Sequence, residues 1–198
     1  LVELRCYNNQ LQDIDLSNNP ELISLYCDKN NILTLDLSKN NFLTYVNYDK
    51  DKVTSLDISN NKVLSSFDCS NGVLTNLNVT NMVALKELNC SYNKLSVLNL
   101  SGTVGILTLN SSANNLTNLD LSLNTALNEL NTSQNKLKNL ALNNNLNLKN
   151  LNCSNNDISI LDISENSNLN YVDCSSNKSL NLDVTKNLLL EHLYSSNN

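Results

Sequence analysis

The stretch LNCSYNKLSVLNLS occupies residues 88–101, and a near copy, LNCSNNDISILDIS, occupies residues 151–164. Each copy has a cysteine as its third residue, at Cys90 and Cys153. Neither copy contains a ligand cluster or a catalytic group. A motif that returns at a multiple of one short period predicts a repeat architecture, in which each unit forms one coil of a stack.

A single short period runs through the whole chain of 198 residues. Every interval between successive cysteines is a whole multiple of the first interval, which defines a 21-residue unit. The six cysteines are Cys6, Cys27, Cys69, Cys90, Cys153 and Cys174. Ten coils open on an apolar residue, at Leu1, Leu22, Leu43, Leu64, Leu85, Ile106, Leu127, Leu148, Leu169 and Leu190. Because no insertion breaks the register, we predict a single domain over residues 1–198.

An asparagine closes the first half of most coils. These residues are Asn9, Asn30, Asn93, Asn114, Asn135, Asn156 and Asn177. Backbone groups in buried turns need hydrogen-bond partners, which an asparagine side chain can supply to an adjacent coil. Asparagine also tolerates the left-handed conformation, and the chain has only three glycines. The pattern therefore predicts an asparagine ladder that also shapes the corners.

Apolar and polar residues alternate around the cysteine and around the later LDLS segment, which is typical of β-strands. Stacked coils place like segments side by side as parallel strands, ~4.8 Å apart. A single coil cannot bury enough surface to be stable, so neighbouring coils must stabilise one another. We expect a β-rich solenoid of about ten right-handed coils. Its parallel sheet is expected on the concave face, with short strands or turns on the convex face and little or no α-helix.

The unit LxxLxCxxNxLxxLDLSxNxx resembles the leucine-rich repeat family, whose signature is LxxLxLxxNxL. More narrowly, it is similar to the 21-residue bacterial class seen in internalin J-type surface proteins, where a cysteine takes the third apolar position. The resemblance covers the whole chain. It implies a secreted or cell-surface location and a partner-binding surface on the first strand of each coil. The coils that depart from the pattern are expected to be locally irregular, at Tyr48, Asp51, Gly72, Met82, Thr103 and Ser179.

The cysteine column is predicted to be a stack of small buried hydrophobic residues. Other small residues and a tyrosine replace cysteine without breaking the register, at Tyr48, Ser111, Thr132 and Ser195. Zinc sites favour cysteines paired at short spacing, and no such pair occurs in the sequence. Side chains on stacked parallel strands point the same way, which is unfavourable geometry for a disulfide torsion. We therefore predict six free, slowly reacting thiols and no cofactor.

The residues that flank the cysteine on the first strand are predicted to point outward. Coils 1 to 3 combine tyrosines with carboxylates there, whereas coils 6 to 8 offer little beyond Asn, Ser and Thr, with Glu129 as the exception. Tyrosines beside carboxylates suit hydrogen-bonded recognition of a protein or a sugar. The predicted ligand-binding residues are Tyr7, Tyr26, Asp28, Tyr45 and Asp49. A solvated strand face with tolerated aromatic residues is the alternative. Coils 9 and 10 also bring outward Tyr171, Asp173, His192 and Tyr194.

The second half of the coils carries a row of acidic residues. The row comprises Asp15, Asp36, Asp57, Asp120, Asp162 and Asp183, with Asn78 and Asn99 in two intervening coils. Such side chains can accept hydrogen bonds from nearby turn amides. Alternatively, Asp15, Asp36 and Asp57 could form a weak calcium site, because calcium prefers oxygen ligands. The row lacks a converging loop of ligands, which favours the local role.

Composition and motifs exclude several functions. The net charge is −6 and the basic residues form no run, which argues against binding to nucleic acid. No apolar run approaches the ~18 residues of a membrane span. The sequence has no hydrolase, metalloprotease or phosphate-loop motif, and His192 is its only histidine. We therefore expect no enzymatic activity.

Two functional hypotheses remain. The first is an adhesin-like module of an extracellular or cell-surface protein that binds a protein or a carbohydrate. The second is a stiff spacer or assembly element in a larger extracellular complex. Since neither end of the sequence has a polar capping segment, we expect an uncapped fragment with flanking domains on the same polypeptide.

Overall fold

The computed structural model of the chain describes residues 1–49, 52–178 and 181–198. Secondary structure in this part of the chain consists of twelve short strands, each of three residues. The strands are β1 (Glu3–Arg5), β2 (Ser24–Tyr26), β3 (Tyr45–Asn47), β4 (Ser55–Asp57), β5 (Ser66–Asp68), β6 (Asn76–Asn78), β7 (Glu87–Asn89), β8 (Thr108–Asn110), β9 (Glu129–Asn131), β10 (Asn150–Asn152), β11 (Tyr171–Asp173) and β12 (His192–Tyr194). Among the described residues, no helix is long and apolar enough to cross a membrane.

Ten of the strands form one parallel sheet in the order β1-β2-β3-β5-β7-β8-β9-β10-β11-β12. Each pairing joins equivalent positions of successive coils, as Leu4 pairs with Leu25 and Leu151 with Val172. The predicted solenoid of 21-residue coils is therefore confirmed. On the opposite side of the described chain, only β4 and β6 pair as a second parallel sheet, and a bridge from Asn78 to Asn99 extends it. The other described LDLS segments run as turns and extended chain.

The core is one continuous cluster made of stacked columns. Leu25, Phe67 and Leu88 lie in one column and are almost completely buried. Burial decreases towards both ends of the stack, since a terminal coil has a neighbour on one side only. Leu4 in the first coil is only partly buried, and Leu193 in the last coil is 41% exposed.

The asparagines of the first corner bond to two coils at once. The Nδ2 group of Asn93 donates to the carbonyl of Cys69 in the preceding coil at 2.8 Å and to that of Cys90 in its own coil at 3.1 Å. Its Oδ1 accepts the N–H of Leu74 at 2.9 Å. The same set of bonds recurs at Asn30, Asn114, Asn135, Asn156 and Asn177. By contrast, Asn9 in the first coil donates to carbonyls of its own coil.

A second column of asparagines lines the other corner. In five of its members, only the Nδ2 side of the amide is hydrogen-bonded within the described part of the chain. The Nδ2 group of Asn61 donates to the carbonyls of Leu37 and Asn40, both at 3.0 Å. Its Oδ1 is buried and accepts no hydrogen bond from the described part of the chain. The same holds for the Oδ1 atoms of Asn40, Asn145, Asn166 and Asn187. The two columns therefore stabilise the stack to different extents.

The corners adopt the left-handed conformation with or without asparagine. The eighth residue of every coil that is described there has φ between 52° and 58°, at Asn8, Lys29, Asn71, Tyr92, Ala113, Gln134, Asn155, Ser176 and Asn197. Asparagine is thus not required there, so that part of the expectation was too narrow. Among the described residues, the second corner is left-handed only at Asn81 and Gly102, in coils 4 and 5. Two other irregular positions, Asp51 and Ser179, lie outside the described residues.

The remaining departures keep the register. Tyr48 takes the place of a cysteine and is buried in the core. Thr103 replaces an asparagine of the second column, and its hydroxyl donates to the carbonyl of Val79 in the coil before, as an asparagine amide would. Met82 occupies the same position one coil earlier and is fully buried. These substitutions alter single contacts while the stack continues through them.

Candidate binding surface

The sheet presents its outward residues in straight rows, because every strand pairs with the next at an offset of one coil. Within a strand, an inward residue such as Leu25 separates two outward ones, here Ser24 and Tyr26. Neighbouring strands lie ~4.8 Å apart, and the two outward residues of one strand are ~6.6 Å apart. The surface is therefore a regular grid, and a ligand that contacts several coils meets equivalent positions at equal spacing.

Coils 1 to 3 place a cation and two aromatic rings in contact on this grid. The guanidinium carbon of Arg5 lies 4.8 Å from the centroid of the Tyr26 ring. The rings of Tyr26 and Tyr45 have centroids 4.8 Å apart and are tilted by 33°. Both arrangements fall within the range of favourable cation–π and aromatic contacts. We call the six residues around this contact the N-terminal patch: Arg5, Tyr7, Tyr26, Asp28, Tyr45 and Asp49.

Neighbouring groups shift the pKa values of two side chains in the N-terminal patch, Arg5 and Tyr45. A hydrogen bond from Arg5 Nε to Glu3 Oε1 at 2.8 Å raises the pKa of the guanidinium, which stays cationic. Burial raises the pKa of Tyr45, and the nearby Tyr26 and Asp68 add to the effect. The Tyr45 phenol is therefore neutral at physiological pH and can donate a hydrogen bond to a ligand.

The five predicted binding residues do not all meet. Tyr26 and Tyr45 are in contact, and Tyr7 is 50% exposed on the same face. Asp28, expected to point outward, is instead buried, with Oδ2 3.8 Å from Lys29 Nζ. Asp49 is half-buried, and its Oδ1 accepts hydrogen bonds from Ser70 Oγ at 3.3 Å and Asn71 Nδ2 at 2.9 Å. Donors of the next coil hold Asp49, and burial beside Lys29 holds Asp28. The sequence pattern does not reveal these contacts.

A second aromatic group lies at the other end of the sheet. The ring of Tyr171 has its centroid 6.3 Å from that of His192 and 5.7 Å from that of Tyr194. Burial raises the pKa of Tyr171, and the nearby Asp173 adds to this effect. Sequence reasoning noted these side chains as outward but did not include them among the predicted binding residues.

A row of outward asparagines, the asparagine file, lies between the two aromatic groups. The sequence pattern did not single it out. Asn110, Asn131 and Asn152 occupy one outward row in β8, β9 and β10. A groove of about 250 Å³ follows this row, and it is lined by Thr108, Leu109, Asn110, Glu129, Leu130, Asn131, Asn150, Leu151, Asn152 and Tyr171. The groove joins the asparagine file to the aromatic ring of Tyr171.

The acidic row on the opposite side is turned towards its own backbone. The hydroxyl of Ser17 and its backbone N–H hold the pKa of Asp15 below the ordinary value, and the N–H lies 2.9 Å from Oδ1. The same bond to the second residue along recurs at Asp36, Asp57, Asp120, Asp162 and Asp183. Within residues 1–49, 52–178 and 181–198, no three or more His, Cys, Asp or Glu side chains are grouped as metal ligands.

The cysteine column lies beneath the sheet. Five of the six thiols are buried, Cys6 is partly exposed, and no disulfide joins them in the structure. Burial raises the pKa of Cys90 to about 12 and also raises those of Cys69, Cys153 and Cys174. Where the column lacks cysteine, Ser111 Oγ donates to Thr132 Oγ1 at 3.3 Å. The column therefore tolerates small polar groups that bond to one another.

Several solved structures share this architecture. The functional domain of InlJ from Listeria monocytogenes, which includes a cysteine ladder, is 33% identical, with a TM-score of 0.91 over the whole chain. The chain spans 49% of that structure's length. The internalin InlF from the same organism is 18% identical over 98% of the chain and 67% of its own length, with a TM-score of 0.71.

A more distant structure has the same fold. The leucine-rich repeat ectodomain of the Arabidopsis thaliana receptor kinase GASSHO1/SCHENGEN3 is 21% identical, with a TM-score of 0.84 over 98% of the chain and 26% of its own length. That ectodomain was solved in complex with CASPARIAN STRIP INTEGRITY FACTOR 2. Comparisons with models of protein families and with curated protein sequences find no match.

Proposed function

Because this chain belongs to the leucine-rich repeat family, in its 21-residue form with a cysteine ladder, we propose that it is a non-catalytic binding module. Its ligand is a protein or a carbohydrate, and the module works in an adhesin-like role on a secreted or cell-surface protein with flanking domains. The contact of Arg5, Tyr26 and Tyr45 carries the proposal. Aromatic and arginine side chains supply most of the binding free energy at many interfaces.

The geometry of the N-terminal patch supports this function over a purely structural one. The Tyr26 and Tyr45 rings are already packed against each other, so they lose little conformational freedom when a ligand binds. Arg5 adds a guanidinium that is held in place by Glu3 at 2.8 Å, and the Tyr45 hydroxyl adds a donor. Nothing in the packing of the core requires these outward side chains, since other coils place Asn or Ser in the same rows.

The test is binding of the chain to an array of extracellular proteins and glycans, followed by affinity measurement for the captured ligand. Tyr26→Ala combined with Tyr45→Ala is expected to weaken that affinity at least about thirtyfold, as for two hot-spot residues. Tyr92→Ala removes a tyrosine that is 53% exposed but lies outside the patch, and it should bind normally. If the double variant binds as tightly as the native chain, the patch is not the binding site.

The spacer function is the second candidate, and the unbroken core favours it. Ten coils spaced at ~4.8 Å make a rod roughly 45 Å long, stiffened by the asparagine ladder. A spacer predicts that the tyrosine variants act normally in the intact protein. It also predicts that deletion of one whole coil, residues 106–126, shortens the reach of the flanking domains. Binding and spacing therefore make opposite predictions for the double tyrosine variant.

A further inference from the structure

We propose that the sheet face of coils 6 to 9 is a second binding site, which takes a linear, neutral β-1,4-linked glycan lying along the solenoid axis. The site is the groove that joins Asn110, Asn131 and Asn152 to Tyr171. It shares no residue with the N-terminal patch and does not depend on that patch being functional.

The asparagine file presents a row of oriented amide donors. Asn110 Oδ1 accepts the backbone N–H of Ser112 at 3.2 Å and the Ser112 hydroxyl at 2.7 Å. Asn131 and Asn152 accept the same pair of bonds from Ser133 and Ser154. A backbone N–H can only donate, so the atom it faces must be the oxygen, and this fixes which side of each amide carries Nδ2.

The Nδ2 groups are left for a ligand. In the described part of the chain, the Nδ2 atoms of Asn110, Asn131 and Asn152 have no hydrogen-bond acceptor, whereas Asn89 Nδ2 in the adjacent coil donates to Asp68 Oδ2 at 3.1 Å. The three amides stand in register, because Asn131 pairs with Asn110 on one side and Asn152 on the other. The file therefore offers donors at one coil spacing, ~4.8 Å.

The spacing distinguishes between extended ligands. An extended peptide advances ~3.3 Å per residue, so its carbonyls fall out of step with donors ~4.8 Å apart. A flat β-1,4-linked glycan advances by about one coil spacing per sugar ring, so each amide faces a ring of its own. Alternate rings are turned over, so equivalent hydroxyls recur at every second coil. Sugar hydroxyls both accept from amides and donate to carboxylates, and Glu129 lies within the groove as an acceptor.

The charge of the groove lining and the ring of Tyr171 both favour a neutral sugar. No lysine or arginine is among the described residues that line the groove, and Glu129 is the only charged one, which favours a neutral ligand over an anionic one. Tyr171 closes one end of the groove and packs on His192 and Tyr194. A sugar ring can place its apolar face on such an aromatic surface while its hydroxyls reach the amides.

The test is calorimetric titration of the chain with cellotetraose and chitotetraose, with maltotetraose as the control sugar. Maltotetraose has the same hexose units as cellotetraose, but its α-linkages curve the chain out of step with the coils. We expect both β-linked sugars to bind and maltotetraose not to bind.

The decisive variant is Asn131→Asp, which keeps the oxygen that Ser133 bonds but replaces the donor with a second oxygen. The fold accepts Asp here, since Asp173 holds Ser175 by the same two bonds at 3.0 and 2.7 Å. Asn99→Asp is the matched control, because Asn99 holds Ser101 in the same way on the opposite side of the coil. Asn131→Asp and Tyr171→Ala should each raise the dissociation constant at least tenfold, and Asn99→Asp should leave it unchanged.

Three results would overturn the proposal: no binding of either β-linked sugar at millimolar concentration, equal binding of maltotetraose, or full affinity in Asn131→Asp. A captured protein ligand that is lost in Asn131→Asp while the sugars fail to bind would overturn the glycan assignment as well. Tyr26→Ala with Tyr45→Ala should not change the sugar titration. Loss of the N-terminal patch and loss of this groove are therefore measured separately.

Discussion

The phenolic oxygen of Tyr48 accepts a hydrogen bond from the backbone N–H of Val53 at 3.2 Å. In the coil that follows, the equivalent N–H, that of Leu74, is bonded by the side chain of Asn93 from the next coil along. The residue that stands in the same relation to Val53 is Gly72, which has no side chain to offer. Two departures from the repeat thus compensate for each other, because Tyr48 supplies the acceptor that Gly72 lacks.

This compensation predicts a coupled pair of substitutions. Tyr48→Phe leaves the buried Val53 N–H without its acceptor and should lower the free energy of unfolding by about 1–3 kcal/mol. Adding Gly72→Asn restores the side-chain acceptor of the other coils and should recover part of the loss. Chemical denaturation of both single variants and the double variant measures the coupling. Strictly additive effects would show that the two positions are independent.

The two asparagine columns should differ in their contribution to stability. Asn93→Ala removes bonds to three carbonyls and one N–H, all in buried surroundings, and should cost on the order of 3 kcal/mol. Asn61→Ala removes bonds to two carbonyls and also removes a buried oxygen that had no partner among the described residues. It should therefore cost clearly less. Equal losses in urea denaturation would contradict this difference.

The left-handed corners predict that Ala→Gly substitutions change stability in opposite directions, depending on where they are made. Ala113 has φ of 52°, which is strained for a residue with a Cβ. Ala113→Gly relieves that strain by more than it adds in unfolded-state entropy, so it should stabilise the chain by about 0.5 kcal/mol. Ala126 is not among the positive-φ residues, and Ala126→Gly should destabilise by about 0.5–1 kcal/mol. Destabilisation by both would argue that the corner at Ala113 is unstrained.

The buried thiols predict a loss of stability at alkaline pH. Burial raises the pKa of Cys90 from the ordinary 9.0 to about 12 in the folded chain. Above pH 9 the unfolded chain loses this proton while the folded chain keeps it, so stability falls as pH rises from about 9 to about 12. Cys90→Ser follows the natural Ser111 of the same column and removes this titration. The variant should show a smaller loss of unfolding free energy over that range, measured in matched buffers.

The sequence alone predicts the coil length, the stack and the buried columns, because an uninterrupted period leaves only one register. It also brings Tyr26 and Tyr45 to the same face. It does not predict that Asp28 is buried, nor that Tyr48 and Gly72 compensate, since both depend on contacts with neighbouring coils. Among the described residues, the LDLS segments form strands only at β4 and β6, although all show the alternating pattern.

The asparagine file was missed for a physical reason. Asparagine is common throughout the chain, so its presence in the outward row of Asn110, Asn131 and Asn152 carried no signal by itself. The useful signal was the serine two residues later, at Ser112, Ser133 and Ser154, which turns each amide so that its donor faces outward. The same Asn-x-Ser spacing serves a local role at Asn99, on the other side of the coil.

Hydrogen exchange of the chain with its captured ligand bound tests the central functional proposal most directly, because it reports which face the ligand covers. We predict protection of backbone amides in β1, β2 and β3, beneath the N-terminal patch, and no change in β4 and β6 on the opposite side. Protection confined to β4 and β6, with unchanged exchange in the ten-stranded sheet, would contradict the proposal that the sheet face is the binding surface.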